Sequence, residues 1–343
     1  MTVETETGRI APELEPEELE EDSSPEAPPR KRRRGRFACF VFALLGLAGV
    51  LGGWFGNLWI AFDVFAQFSY QFWLVAIAFG IAFFMPFARV LTGIAITVIG
   101  LLVIGIMPHL TAASYPAPEV KPPAEHRLLR VMSFNTWLEN ADVDAIAAEV
   151  QRNDPDILVL LEFGNEKRAL LDRLKSQWPY QDDCRHLENC YMAVVSKFPI
   201  ADFESHASWV GPPMVRASFG KELGGLTVIG THTIRFPYMR AQLTQLNELA
   251  DLVRKLEGPR VVMGDFNATP SSRLLATFEQ RSTLRRLDGW LPTWPANFQM
   301  PQLAIDHIFA SPEVKGLEKV RIGNGAGSDH YPLVVRVAVP VAP

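Results

Sequence analysis

Val261-Val262-Met263-Gly264-Asp265-Phe266-Asn267-Ala268-Thr269-Pro270 is a short apolar run that ends in a glycine, an acid, an amide and a turn. Buried strands end this way where a sheet hands its last side chains to a site at its edge. If the extended geometry continues, Asp265 and Asn267, two residues apart, point to the same face. A carboxylate beside a carboxamide suits a phosphate oxygen, a water and a hard cation. Asp and Asn are equally ordinary turn residues, so the decapeptide gains meaning only from the rest of the chain.

The 343 residues divide into unlike pieces. Residues 1–36 begin rich in Glu, Pro and Ser, a composition too polar to offset chain entropy, and are expected to be disordered. They end in Arg30-Lys31-Arg32-Arg33-Arg34-Gly35-Arg36, which abuts a long apolar stretch and so reads as a membrane flank. From Phe37 to Pro108 only Asp63 and Arg89 are charged. A span needs roughly 20 apolar residues, so residues 37–109 are read as three transmembrane helices near 37–58, 68–85 and 90–108. The two charges then fall in the gaps, and Trp54, Trp59, Tyr70 and Trp73 gather at the first gap as an interfacial belt. The basic cluster sets the N-terminus in the cytoplasm, and three crossings put the remainder outside the cytoplasm, in a multi-pass protein of the cell membrane. The acidic start argues against a cleaved signal peptide. Residues 110–127, with Pro116, Pro118, Pro122 and Pro123, read as a stiff linker.

From residue 128 to 343, strand patterns alternate with helical ones. Strands are expected at Leu128–Trp137, Asp156–Glu162, Tyr191–Ser196, Val215–Phe219, Leu226–Thr233, Arg260–Met263, Ala304–Ala310 and Leu333–Val337. Helices are expected at Ala141–Arg152, Lys167–Trp178 and Arg240–Leu256. This is a layered α/β domain. Trp178–Pro213 has no assignable pattern. Cys184 and Cys190 either close a small disulfide loop, which an extracytoplasmic location permits, or join His186 on a metal.

The strand ends deliver polar residues in turn: Asn135, Glu162, His232, Asp265 with Asn267, Asp306, and Asp329 with His330. Each alone could be a cap, a turn or a structural histidine. Together they are carboxylates, amides and imidazoles with no reactive serine or cysteine motif. That set fits metal-assisted attack of water on a phosphoester, with magnesium or manganese favoured by the oxygen donors.

In their order these motifs resemble the endonuclease/exonuclease/phosphatase superfamily, which includes pancreatic deoxyribonuclease, abasic-site endonucleases, neutral sphingomyelinases and inositol-polyphosphate phosphatases. Gly264-Asp265-Phe266-Asn267 with Ser328-Asp329-His330-Tyr331-Pro332 carries the likeness, over about residues 128–338. The joined membrane segment is similar to a bacterial membrane-anchored subgroup. The resemblance implies an α/β sandwich and a role for each residue. Glu162 would be the principal metal ligand, with Asn135 near metal and phosphate, and Asp329 would bind or support the metal. Asp265 would position or deprotonate the attacking water, and Asn267 would hold a phosphate oxygen. His330, oriented by Asp306, would face the phosphate as base or stabiliser, and His232 would be a second phosphate-contacting histidine. Asp182, Asp183 and Glu188 are open candidates for orienting His232. Arg216 and Arg235 are candidate phosphate contacts and equally ordinary surface charges.

From residue 110 onward 25 Lys and Arg face 27 Asp and Glu, so the domain has no basic footprint in bulk. Arg281, Arg285 and Arg286 could still form a local groove. The expected substrate is a phosphodiester, either nucleic acid or phospholipid. The broad label of the family favours a nuclease-like activity, with a lipid or small-phosphoester hydrolase as the alternative and an inactive binding domain as a third reading. No protein partner is expected.

Overall fold

The computed structural model describes residues 30–113, 124–207 and 211–341. Most of the tail and of the linker lies outside them. Residues 30–36, expected to belong to the tail, instead begin α1, and residues 110–113 complete α4.

The helical region contains α1 (Arg30–Trp54), α2 (Asp63–Gln67), α3 (Ser69–Phe84) and α4 (Arg89–Ala113). Among the described residues two helical stretches, Arg33–Trp54 and Arg89–Leu110, are long and apolar enough to cross a membrane, with mean hydropathies of 2.1 and 2.6. The expected middle span differs. Its α3 has 16 residues, about 24 Å at 1.5 Å per residue, and Ile60–Gln67 joins it at a 60° bend. Residues 60–67, expected in the gap before that span, are engaged elsewhere. Asp63 accepts hydrogen bonds from the Ser272 hydroxyl and, at 2.7 Å, from the Arg273 N–H. The Gln67 side chain accepts from the Thr269 N–H at 2.6 Å. These residues are committed to the α/β domain.

That domain begins with β1 (His126–Asn135), α5 (Val143–Asn153), β2 (Ile157–Leu161), α6 (Ala169–Leu174), β3 (Tyr180–Asp183) and β4 (Met192–Ser196). Next come β5 (Ile200–His206), β6 (Met214–Phe219), β7 (Thr227–His232), α7 (Met239–Lys255), β8 (Arg260–Asp265) and α8 (Arg273–Ser282). It closes with β9 (Arg285–Arg286), β10 (Asp306–Ala310), β11 (Lys315–Gly316), β12 (Arg321–Ile322) and β13 (Leu333–Pro340). One sheet has the order β11-β13-β1-β2-β4-β3, with β12 also on β13; the other runs β5-β6-β7-β8-β10-β9. In each, one parallel pair, β1/β2 or β7/β8, sits among antiparallel neighbours.

Strand periodicity explains the layers. Leu129, Val131, Ile157 and Val159 meet Val228, Val261 and Met263 between the sheets. The alternate residues Met132, Phe134, Leu158 and Leu160 pack under α5 and α6, with Ile146, Val150 and Leu170. Ile229, Val262 and Phe309 pack under α7 and α8, with Leu246, Leu249 and Phe278. The result is a four-layer α/β sandwich, and β2 and β8 read as continuous apolar runs because both their faces are covered.

Expected strands recur within a few residues. Trp178–Pro213, which beyond the expected strand Tyr191–Ser196 had no assignable pattern, contains β3, β4, β5 and a Cys184–Cys190 disulfide with an S–S distance of 2.06 Å. The bond rules out the alternative of two cysteines on a metal with His186. The expected long helix Lys167–Trp178 is only the six-residue α6, and α8 was not expected. Arg281 pairs with Asp251 at 2.7 Å, and the Arg285 guanidinium donates to the Val314 carbonyl. Arg285 and Arg286 lie opposite Ala310 and Phe309, at the end of β10 remote from Asp306, so the three arginines form no groove beside the strand ends that carry the candidate site.

Gly264 has φ +152°, and a Cβ there would lie 1.9 Å from the Thr231 carbonyl oxygen. Gly264→Ala is expected to destabilise the domain by about 3 kcal/mol, read as a lowered melting temperature. An unchanged melting temperature would mean that the strand end tolerates the methyl.

Candidate active site

The sandwich delivers its polar side chains to one end. β1, β2, β7 and β8 reach it with their C-termini, which carry Asn135, Glu162 just past β2, His232 and Asp265. The antiparallel β10 begins there with Asp306, which lies opposite Asp265 in register. Asp329 and His330 arrive on the turn before β13. The two sheets approach closely where a Cβ at Gly230 would fall 2.4 Å from Val159. Two residues beyond Gly230 comes His232, and three beyond Val159 comes Glu162.

Asn135 is the hub. Its amide donates to Glu162 Oε1 and Asp265 Oδ2, both at 3.1 Å, and lies 3.4 Å from His330 Nε2. His232 Nε2 is 3.6 Å from the same two carboxylates. Glu162 has φ +49°, and its second oxygen accepts from the Leu138 N–H at 2.8 Å. Beneath this turn the buried Lys167 ammonium donates to the Leu138 and Glu162 carbonyls. Asp265 Oδ1 accepts from the Asn267 N–H at 2.8 Å, closing a turn in which Asn267 has φ +46°. The Asn267 amide donates to the Thr233 carbonyl.

His330 is held from the other side. Its Nδ1 lies 2.8 Å from Asp306 Oδ2, which also accepts from the Thr293 hydroxyl at 2.6 Å. Its Nε2 faces Asp265 Oδ2 at 3.7 Å and Asp329 Oδ1 at 3.9 Å. The Trp294 indole N–H donates to Asp329 Oδ2, while Asp329 Oδ1 is buried with no hydrogen-bond partner among the described residues.

Burial sets the charges. It raises the Asp265 carboxyl, the Asp306 carboxylate adds to this, and the value reaches about 6. Burial alone would lower His330, but the Asp306 carboxylate, its hydrogen bond, and then Asp265 and Asp329 push the imidazolium up to about 10. Burial would raise Glu162 too, yet His232, the Leu138 N–H and Asn135 hold it below the usual carboxylate range. Candidate ligand atoms of Glu162, His232 and Asp265 lie within 4.8 Å of one another, as do those of Asp265, Asp306 and His330.

The sequence of this domain matches the model of the Endonuclease/Exonuclease/phosphatase family over residues 132–330. The chain belongs to this family. A UPF0294 protein of Vibrio vulnificus is 30% identical over 119 residues, 34% of this chain and 40% of that one. A UPF0294 protein of Vibrio cholerae is 31% identical over 124 residues, 35% and 42% respectively. The chain thus spans less than half the length of these curated relatives. A family member from Bacteroides vulgatus has the same fold, with a TM-score of 0.51 and 17% identity over 62% of this chain and 99% of that one. A mutant beta toxin of Staphylococcus aureus, solved with bound magnesium ions, gives 0.50 and 17% over 62% and 99%.

Within this family member, Asn135, Glu162, His232, Asp265, Asp306 and His330 form one contact network, and Asp329 borders it. Arg216 is turned elsewhere: mid-strand on β6, it pairs with Asp202 and Glu204 of β5. Arg235 is exposed on the β7–α7 loop. Asp183 pairs with Arg185, and the carboxylates beside His232 are Glu162 and Asp265. Thr293 and Trp294 were missed. They lie in a loop without strand or helix periodicity, and only their contacts reveal them.

His330 holds its proton more tightly when folded than when unfolded, where its value is about 6.5. Its contribution to stability is therefore complete below that pH and is lost as pH rises toward 10. With chelator present, the melting-temperature gap between the native chain and His330→Gln should be constant in acid and shrink from neutral pH to pH 10. A gap that widens with pH would contradict the imidazolium–carboxylate pair.

Proposed function

We propose that the chain is a metal-dependent phosphoester hydrolase held at the outer face of a membrane. In this reading α1, α3 and α4 make three crossings, the basic cluster remains cytoplasmic, and the domain is extracytoplasmic. The observation that carries the hydrolase is the convergence of two carboxylates and the His330 imidazole on the Asn135 amide at the open end of the sandwich, with His232 beside the same two carboxylates. Packing α1 with α3 and docking residues 60–67 on the domain support the topology, because the first gap and the domain then share a side.

The donor set fits a hard divalent cation. Glu162 and Asp265 offer oxygens within 4.8 Å of His232 nitrogen, and Asp329 Oδ1 is a buried acceptor with no hydrogen-bond partner among the described residues. Glu162 would hold the ion, with Asn135 and Asp329 supporting it, and oxygen donors favour magnesium or manganese. When bound, such an ion supplies neutralisation of charge on the phosphate oxygens.

The residues divide the remaining work. Asp265, raised to about 6, is ionised near neutral pH and still basic enough to take a proton from water. The resulting oxygen forms a bond to phosphorus as the opposite P–O bond breaks. The departing oxygen takes up a proton, so a diester yields one alcohol and one phosphate monoester. His330, an imidazolium near neutral pH, donates to a non-bridging oxygen where charge develops. Asp306 and Thr293 fix its ring. Asn267 and His232 hold further phosphate oxygens, and Arg235 on the adjoining loop adds a cation. Arg216, already paired, is left out of this role.

Full-length chain in detergent should cleave bis-para-nitrophenyl phosphate with magnesium or manganese and stop with EDTA. Asp265→Ala should reduce turnover on the order of 10³-fold, and Glu162→Ala should raise the metal concentration needed. Turnover that survives both EDTA and Asp265→Ala would overturn the proposal.

A further inference from the structure

The loops that carry the site are also those that meet the membrane-side segment. Thr269, four residues past Asp265, donates its N–H to Gln67. The Tyr331 ring, next to His330, meets His109 edge-on at 5.2 Å. The loop bearing Trp294 continues to Gln302, whose amide donates to the Leu101 carbonyl of α4 and whose carbonyl accepts from Gln71 of α3. The Tyr70 ring lies tilted against Trp290, with centroids 4.5 Å apart. The catalytic end of the sandwich is thus directed at the apolar helices.

Between the two parts runs a cleft of about 430 Å³. One wall is Trp59, Ile60 and Ala61, just past α1; the other is Phe236 to Tyr238 on the loop that follows His232, with Met239 to Ala241 at the start of α7. Trp59 and Phe236 are 54% and 58% exposed. Arg240 lines the cleft and Arg235 adjoins it, both exposed. Apolar rings leading to cations beside a phosphoester site complement an amphiphile with acyl chains and a phosphate. A nucleic acid would instead need a run of cations on the backbone, and Arg281, Arg285 and Arg286 are at the other end of the sheet.

Resting on the hydrolase reading above, we propose that the substrate is a membrane phospholipid, entering from the adjoining leaflet along the cleft between Trp59 and Phe236. Its chains lie against the two aromatic rings while its phosphodiester passes Arg235 and Arg240 to reach His232 and Asp265. The bond cleaved is the P–O ester described above, which leaves a lipid product in the leaflet.

The test uses full-length chain in vesicles of mixed phosphatidylethanolamine, phosphatidylglycerol and phosphatidylcholine carrying labelled headgroups, with magnesium. Short-chain soluble analogues of the same headgroups, bis-para-nitrophenyl phosphate and a single-stranded oligonucleotide are compared. At least one long-chain phospholipid should turn over at least tenfold faster than its soluble analogue. Trp59→Ser and Phe236→Ser, one on each wall, should each lower the ratio of lipid to soluble-diester turnover by about tenfold. Soluble diester turnover without lipid preference, oligonucleotide as the preferred substrate, or a ratio unmoved by both substitutions would overturn this inference and leave the hydrolase standing. No turnover of any diester would sink both.

Discussion

The close approach of β2 and β7 governs the molecule. The sheets approach closely where Gly230 leaves room for Val159, and a Cβ at that position would collide with the valine side chain. This contact brings the ends of two strands from different sheets to one place. Glu162 comes from one sheet, Asp265 and His232 from the other, and Asn135 joins them. The inter-sheet core of branched side chains therefore does more than stabilise the fold. It sets how far apart the strand ends that carry the site's charged groups are held.

Electrostatics then follows from burial. Carboxylates and imidazoles held within 4 Å and shielded from water cannot keep their solution behaviour. Asp265 and His330 are displaced upward for different reasons, the first by desolvation and a like charge, the second by surrounding acids. Asp306 bears on both, opposite Asp265 in register and bonded to His330. A cluster of this kind is a costly arrangement for a domain without a ligand, since its polar groups serve packing poorly.

Much of this was legible in the chain. β2 and β8 announce themselves because both faces are apolar, and each run breaks on a carboxylate, Glu162 just past β2 and Asp265 at the end of β8. Glu162 and Asp265 stood out as candidates for that reason, and the motifs around Asp265 and His330 made the family readable. β3 and β5 were not, because an edge strand with one solvated face carries residues such as Asp182 and Glu204 that break an apolar pattern. Thr293 and Trp294 were invisible for another reason. Their partners Asp306 and Asp329 are 13 and 35 residues away, and no local periodicity encodes such a meeting. That residues 60–67, read as the gap before the middle span, dock the α/β domain was not legible, because apolarity alone does not encode such a contact.

That docking bears on how the protein may be divided. Ile60 packs against the layer formed by α7 and α8, and Asp63 caps the first turn of α8. A fragment trimmed to the α/β region would uncover an oily notch and leave the Ser272 and Arg273 donors to solvent. The apolar helical segment is therefore also a structural wall of the α/β domain, and a severed counterpart would be a different physical object from the domain as the chain builds it.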